Sequence, residues 1–235
     1  MTAPRRSDAS WLRPSGTGHP AIIAHAAGNG IEAARNAIAD GADCVEVDLW
    51  YRNSIFEARH ERRAGPIPLL YERWYLRRAP ATPFTLADLV QQLDGDAAIF
   101  LDFKTSQHRS VGEVAAILQE APAGTRIAAS SQWWGILRHL HDRLPEVPLL
   151  YSVDVLAKLD LFRSVARHDT RPAGVSCRES LLTPAIIGEL QDRGLRVTAW
   201  TVDDLSRAEK LASWGVDAIT THRVREMRAL FTGSP

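Results

Sequence analysis

Asp43-Cys44-Val45-Glu46-Val47-Asp48-Leu49, a turn at Arg52-Asn53-Ser54, then Ile55-Phe56-Glu57-Ala58-Arg59-His60: the fold turns on how this stretch is paired. Its first part alternates as a strand does, with Cys44, Glu46 and Asp48 on one face and Val45 and Val47 on the other. About five residues separate Leu49 from Ile55, whereas a parallel crossover needs about a dozen or more. Residues 55–60 are therefore expected to return as a hairpin or as a loop folded over the sheet. They are not expected to extend a parallel sheet.

Outward from this stretch the chain alternates short apolar runs with segments of helical spacing. Strands are expected over 21–25, 43–49, 97–104, 126–130, 147–152, 174–177, 197–202 and 217–221. Helices are expected over 31–40, 111–120, 134–143, 155–168, 184–192, 205–214 and 224–230, with Asn29 as a cap for the first. Eight parallel strands alternating with helices make a (β/α)8 TIM barrel, here with a hairpin or loop insertion after strand 2. The longest connection, 61–95, holds a helix at 86–93 opened by Thr85. Its first part, 62–78, is rich in arginine and aromatic residues and is expected to be irregular. Residues 1–20 are read as a flexible lead-in, because they carry Pro and Gly but no apolar run. Residues 21–235 are read as one barrel domain.

Composition narrows the function classes. The 235 residues are 45% hydrophobic and 24% charged, as in an ordinary globular protein. Lys and Arg together equal Asp and Glu at 28 each, which gives no case for nucleic-acid binding. Two cysteines, Cys44 and Cys177, are too few for a disulfide framework. With no secretory or membrane-spanning apolar run, a cytoplasmic protein is expected.

Catalytic groups of a TIM barrel sit at the C-terminal ends of its strands. Those ends carry His25, Glu46 with Asp48, Asp102 with Lys104, Ser130, Ser152, Cys177, Trp200 and Thr221-His222. Residues two apart on a strand share a face at about 6.6–6.8 Å between Cα atoms. Glu46, Asp48 and Asp102 thus make a three-carboxylate site for a hard divalent ion, Mg2+ or Ca2+. Lys104 beside it suits a phosphate as a point charge. Glu57 and Glu61 flank His60 and are candidates to orient it. Cys44 lies one layer deeper and is expected to fill the core.

The ordered set His25, Glu46-Val47-Asp48, His60, Asp102-Phe103-Lys104, Trp200-Thr201-Val202-Asp203 and Gly215-Val216-Asp217 resembles the glycerophosphodiester phosphodiesterase family. The similarity runs from about Ala21 to Thr221. It implies a metal-dependent phosphodiesterase that cleaves glycerophosphodiesters, with His25 and His60 as acid and base. It also implies Glu46, Asp48 and Asp102 as metal ligands, Lys104 as a phosphate contact and Trp200 as a wall of the substrate cleft.

Ala26 stands where that family usually has arginine, which removes a bidentate phosphate donor. Arg59, Arg62 and Arg63 are the candidates to replace it. The same gap, with Asp102-Phe103-Lys104-Thr105, is similar to sphingomyelinase D-like phospholipases, which implies an alternative enzyme making a cyclic phosphate. A degenerate barrel that binds a phosphorylated ligand without cleaving it is the non-enzymatic alternative. The ligand expected in each case is a small phosphodiester or a lysophospholipid head group, and the 62–78 loop is a candidate peripheral membrane contact.

Overall fold

A computed structural model describes residues 9–12, 18–73, 75–93 and 98–233. Most of the expected lead-in, along with Trp74 and Ala97, lies outside the described residues. The described part of the lead-in includes a 3-10 turn, Ser10–Leu12, whose Leu12 is fully buried.

The chain runs β1 (Ala21–Ala24), α1 (Ile31–Ala39), β2 (Cys44–Arg52) and β3 (Ile55–Ala58), then β4 (Arg62–Arg63), β5 (Leu69–Glu72) and β6 (Tyr75–Arg78). It continues α2 (Leu86–Gln92), β7 (Ala98–Phe103), α3 (Val111–Gln119), β8 (Ile127–Ser131), α4 (Trp134–Arg143), β9 (Leu149–Val153) and α5 (Leu156–Val165). It ends β10 (Pro172–Arg178), α6 (Pro184–Gln191), β11 (Arg196–Trp200), α7 (Leu205–Ser213), β12 (Ala218–Thr221) and α8 (Val224–Thr232). Strands β1, β2 and β7 to β12 pair in parallel, and the β1–β2 pairing closes the ring. This is the expected (β/α)8 barrel.

Strand β3 stays outside the ring, antiparallel to the upper half of β2, with Leu49 opposite Ala58 and Arg52 opposite Ile55. Asn53 and Ser54 both take positive φ, 48° and 62°. Such a pair fits the twist of a two-residue hairpin turn. The 62–78 segment corrects the expectation of an irregular loop: it forms a small antiparallel sheet, β4-β5-β6, apart from the barrel. Tyr71, Tyr75 and Leu76 are exposed on it.

Helix α2 opens on a capping box. Asp88 N–H donates to Thr85 Oγ1 at 3.2 Å, and Thr85 N–H donates to Asp88 Oδ2 at 2.9 Å. Such a cap stabilises a helix by about 0.5–2 kcal/mol. Asn29 does not cap α1: the position before that helix is Gly30, and Asn29 belongs to a preceding 3-10 turn.

The barrel interior divides into two layers. Ile23, Cys44, Ala98, Phe100, Ala128 and Leu150 form an apolar floor, and Leu12 packs into the same cluster. Fully burying one such side chain contributes about 1.5–3 kcal/mol. Above the floor the inward positions turn polar and buried: Glu46, Asp48, Ser130, Ser152, Ser176 and Thr220. The larger core fills the space between the strands' outer faces and the helices.

Two acids of the sequence signature serve the frame. Asp43 Oδ2 accepts from Ile22 N–H at 2.8 Å, tying β1 to the start of β2. Asp217, fully buried, accepts from Val197 N–H at 2.8 Å and pairs with Arg196 at 2.9 Å.

Candidate active site

The register of β2 against β7 sets Glu46 opposite Phe100 and Asp48 opposite Asp102. Glu46, Asp48 and Asp102 consequently each bring one carboxylate oxygen within 4.8 Å of the others. All three were expected together, and the structure brings them together.

Each acid is held from a different direction. Asn29 Nδ2 donates to Asp48 Oδ2 at 2.8 Å, while Asp48 N–H donates to Asn29 Oδ1 at 2.9 Å. This embrace is why Asn29 does not cap a helix. It depends on Gly28: a Cβ there would sit 2.8 Å from Val47 Cβ and 3.0 Å from Glu46 O, so only glycine lets the turn lie against β2. Ala26 N–H donates to Glu46 Oε2 at 2.5 Å from a left-handed backbone with φ 55°. Ser130 Oγ donates to Asp102 Oδ1 at 2.9 Å. Lys104 Nζ pairs with Asp48 Oδ1 at 2.8 Å and also with Asp102.

One ammonium among three carboxylates leaves excess negative charge, and the titration behaviour reflects it. Burial, then the neighbouring Asp48, raises the Glu46 carboxyl well above its ordinary value. Burial pushes Asp48 the same way, but Lys104 and the Asn29 hydrogen bond outweigh it and lower Asp48. Lys104 is raised, because Asp102, Asp48 and Glu46 outweigh its own burial. A largely buried cluster of hard oxygen donors with uncompensated negative charge is chemically suited to a divalent cation.

Two histidines face this cluster. His25 Nε2 lies 4.0 Å from Glu46 Oε2, and its Nδ1 is buried with no hydrogen-bond partner among the described residues. Burial first, and His222 next, lower His25 to about 4. The His60 ring stands edge-on to His25 with centroids 5.9 Å apart. Its Nδ1 lies 2.6 Å from Glu72 Oε2, at the end of β5. Glu57 and Glu61 do not orient His60. Glu57 pairs with Arg59 at 2.7 Å, and Glu61 pairs with Arg77 at 2.6 Å.

The sequence did not single out Glu72, since nothing in local spacing links it to His60. It did not pair Asp203 with His222 either. The His222 ring lies 4.4 Å from that of His25, and Asp203 Oδ2 holds its Nδ1 at 2.8 Å.

The cleft over the cluster encloses about 170 Å³ and is lined by His25, His60, Lys104, Ser152, Ser176 and Trp200, among others. Trp200 is thus among the residues that line this cleft. Cys177 is not: Ser176 points inward, while Cys177 packs in the outer core with its thiol pushed up to about 12 by burial. None of Arg59, Arg62 and Arg63 lines the cleft among the described residues. Arg59 is buried against Glu57 and over the Trp50 ring at 5.1 Å.

The sequence profile described as the glycerophosphoryl diester phosphodiesterase family matches residues 85–226. That segment holds Asp102, Lys104 and Trp200, whereas His25, Glu46, Asp48 and His60 precede it. No curated protein sequence matches the chain.

Solved structures share the fold. An Oleispira antarctica phosphodiesterase, in complex with the product sn-glycerol-3-phosphate, is 17% identical with a TM-score of 0.74, covering 90% of this chain and 96% of its own. A Parabacteroides distasonis glycerophosphodiester phosphodiesterase is 16% identical with a TM-score of 0.75, covering 91% and 97%. A Thermotoga maritima glycerophosphodiester phosphodiesterase is 18% identical with a TM-score of 0.70, covering 89% and 97%. No helix among the described residues is long and apolar enough to cross a membrane.

Proposed function

The chain belongs to the glycerophosphoryl diester phosphodiesterase family, and from that membership we propose that it hydrolyses glycerophosphodiesters to an alcohol and glycerol phosphate by metal-dependent, two-histidine acid–base catalysis. What carries the proposal is the convergence of His25 and His60, 5.9 Å apart, over the cluster of Glu46, Asp48 and Asp102.

Those three carboxylates would hold a divalent ion, Mg2+ or Ca2+. Bound there, such an ion supplies Lewis-acid polarisation of a phosphoryl oxygen. Lys104, already fixed by Asp48 and Asp102, adds positive charge beside the phosphate. His25, neutral at pH 7 because its value lies near 4, takes a proton from the attacking water. His60 has its Nδ1 occupied by Glu72, which leaves Nε2 to deliver a proton to the departing alkoxide. Trp200 forms a wall of the substrate cleft.

Substitution tests the roles. His25→Ala and His60→Ala are each expected to lower kcat by about 10²–10⁴-fold, the usual contribution of a general acid or base. Normal turnover in either variant would remove that histidine from the mechanism.

Among the described residues no arginine lines the cleft, and this favours one further reading, the sphingomyelinase D-like route. There, a hydroxyl next to the phosphate attacks first and closes a cyclic phosphate. A cyclic phosphate that persists as the end product would support this route. Glycerol phosphate as the end product supports hydrolysis.

A further inference from the structure

A second cavity, of about 280 Å³, lies between the β2–β3 hairpin and the small β4-β5-β6 sheet, and it shares no lining residue with the cleft. Arg52, Arg59, Arg63 and Arg77 line it, with Glu57 as the acid among them. Two of these guanidinium groups are already matched, Arg59 by Glu57 and Arg77 by Glu61. Arg52 and Arg63 form no ion pair among the described residues, and Arg63 Nε is buried without an acceptor. A buried donor left without a partner costs about 1–3 kcal/mol, and more when it is charged. The lining also has an apolar part, with Leu70, Pro80, Pro83 and Phe84.

We propose that this cavity is a second anion site that takes a phosphoryl dianion, free or on a short carbon chain, between Arg52 and Arg63. Two uncompensated guanidinium charges match a dianion, and their planar forks suit bidentate contact with phosphate oxygens. A carbon chain on the phosphate would lie against Phe84. The site stands behind Asp48 rather than over it, since Asn29 lines the cavity and also holds Asp48.

Titration calorimetry on the full chain in magnesium buffer at fixed ionic strength tests this, with inorganic phosphate and glycerol 3-phosphate as separate probes. Wild type and His25→Ala are expected to bind phosphate at this site alike. Arg52→Gln and Arg63→Gln should each weaken that binding by about tenfold or more, the loss of hydrogen bonds to a charged group. Diester turnover in the same two preparations should stay near wild type, which also reports that they are folded. Arg63→Lys keeps the charge but loses the fork, and should fall between. Tighter binding of glycerol 3-phosphate would identify an organic phosphate as the ligand, and equal binding would identify free phosphate. Phosphate binding untouched by the arginine substitutions, or abolished by His25→Ala alone, would overturn the proposal.

Discussion

Oε2 of Glu72 lies 2.6 Å from Nδ1 of His60, so a side chain from the small sheet outside the barrel fixes a histidine at the barrel mouth. The insertion after β3 thereby reaches the candidate active site. Glu72→Gln keeps the size of the side chain but removes the charge that orients the imidazole. Its kcat is expected to fall by roughly tenfold or more, short of the 10²–10⁴-fold loss of removing an acid or base outright. KM and the melting temperature should stay near wild type, because Glu72 is about a third exposed. Steady-state kinetics with thermal melts check this. An unchanged kcat would show that His60 needs no such partner.

Lys104 is the only ammonium that an ion pair places against the acidic cluster among the described residues. Lys104→Ala would leave Asp48, fully buried, beside Glu46 without its cation. Breaking a buried pair in this way costs about 3–5 kcal/mol. In urea unfolding, the metal-free variant should lose about that much. Added Mg2+ or Ca2+ should recover part of it, and should stabilise the variant more than it stabilises wild type. No metal-dependent recovery would count against Glu46, Asp48 and Asp102 as a metal site.

The ring of His222, 4.4 Å from His25 and anchored by Asp203, predicts a pH effect. Burial is the main reason that His25 lies near 4, and His222 lowers it further. A base with a lowered value keeps working as the pH falls, until the pH reaches that value. Wild-type kcat/KM should therefore hold its acid limb well below the ordinary histidine value of about 6.5. His222→Ala removes a lowering influence, so His25 rises and the acid limb moves to higher pH. A pH profile of kcat/KM reads the shift. A uniform drop with no movement of the limb would mean that His222 only packs.

The barrel was legible because its decisive features are local. Alternation put Glu46 and Asp48 on one face, and the short link from Leu49 to Ile55 excluded a ninth parallel strand, as the β2–β3 hairpin shows. The third carboxylate was legible for the same reason, since Asp102 and Lys104 share a strand face.

Whatever depended on contacts between distant segments was not legible. Asn29 reads equally well as a helix cap or as a partner for Asp48, and only the close approach of Gly28 to β2 decides between them. Glu72 reaches His60 because residues 62–78 pair with one another in a small sheet, which an arginine-rich, aromatic sequence does not announce. Ser176 and Cys177 are adjacent and both small, and alternation alone does not say which of them faces the barrel axis. Their inward and outward assignment needed the register of β10 against β9 and β11.

Phosphorus NMR of glycerophosphocholine turnover, with and without a divalent ion, tests the central claim most directly. With Mg2+ or Ca2+ the diester signal should give way to glycerol 3-phosphate, and chelation should stop the conversion. Restoring the ion should restart it. A diester signal that never changes with either ion, or that disappears equally fast under chelation, would contradict a metal-dependent phosphodiesterase built on Glu46, Asp48 and Asp102.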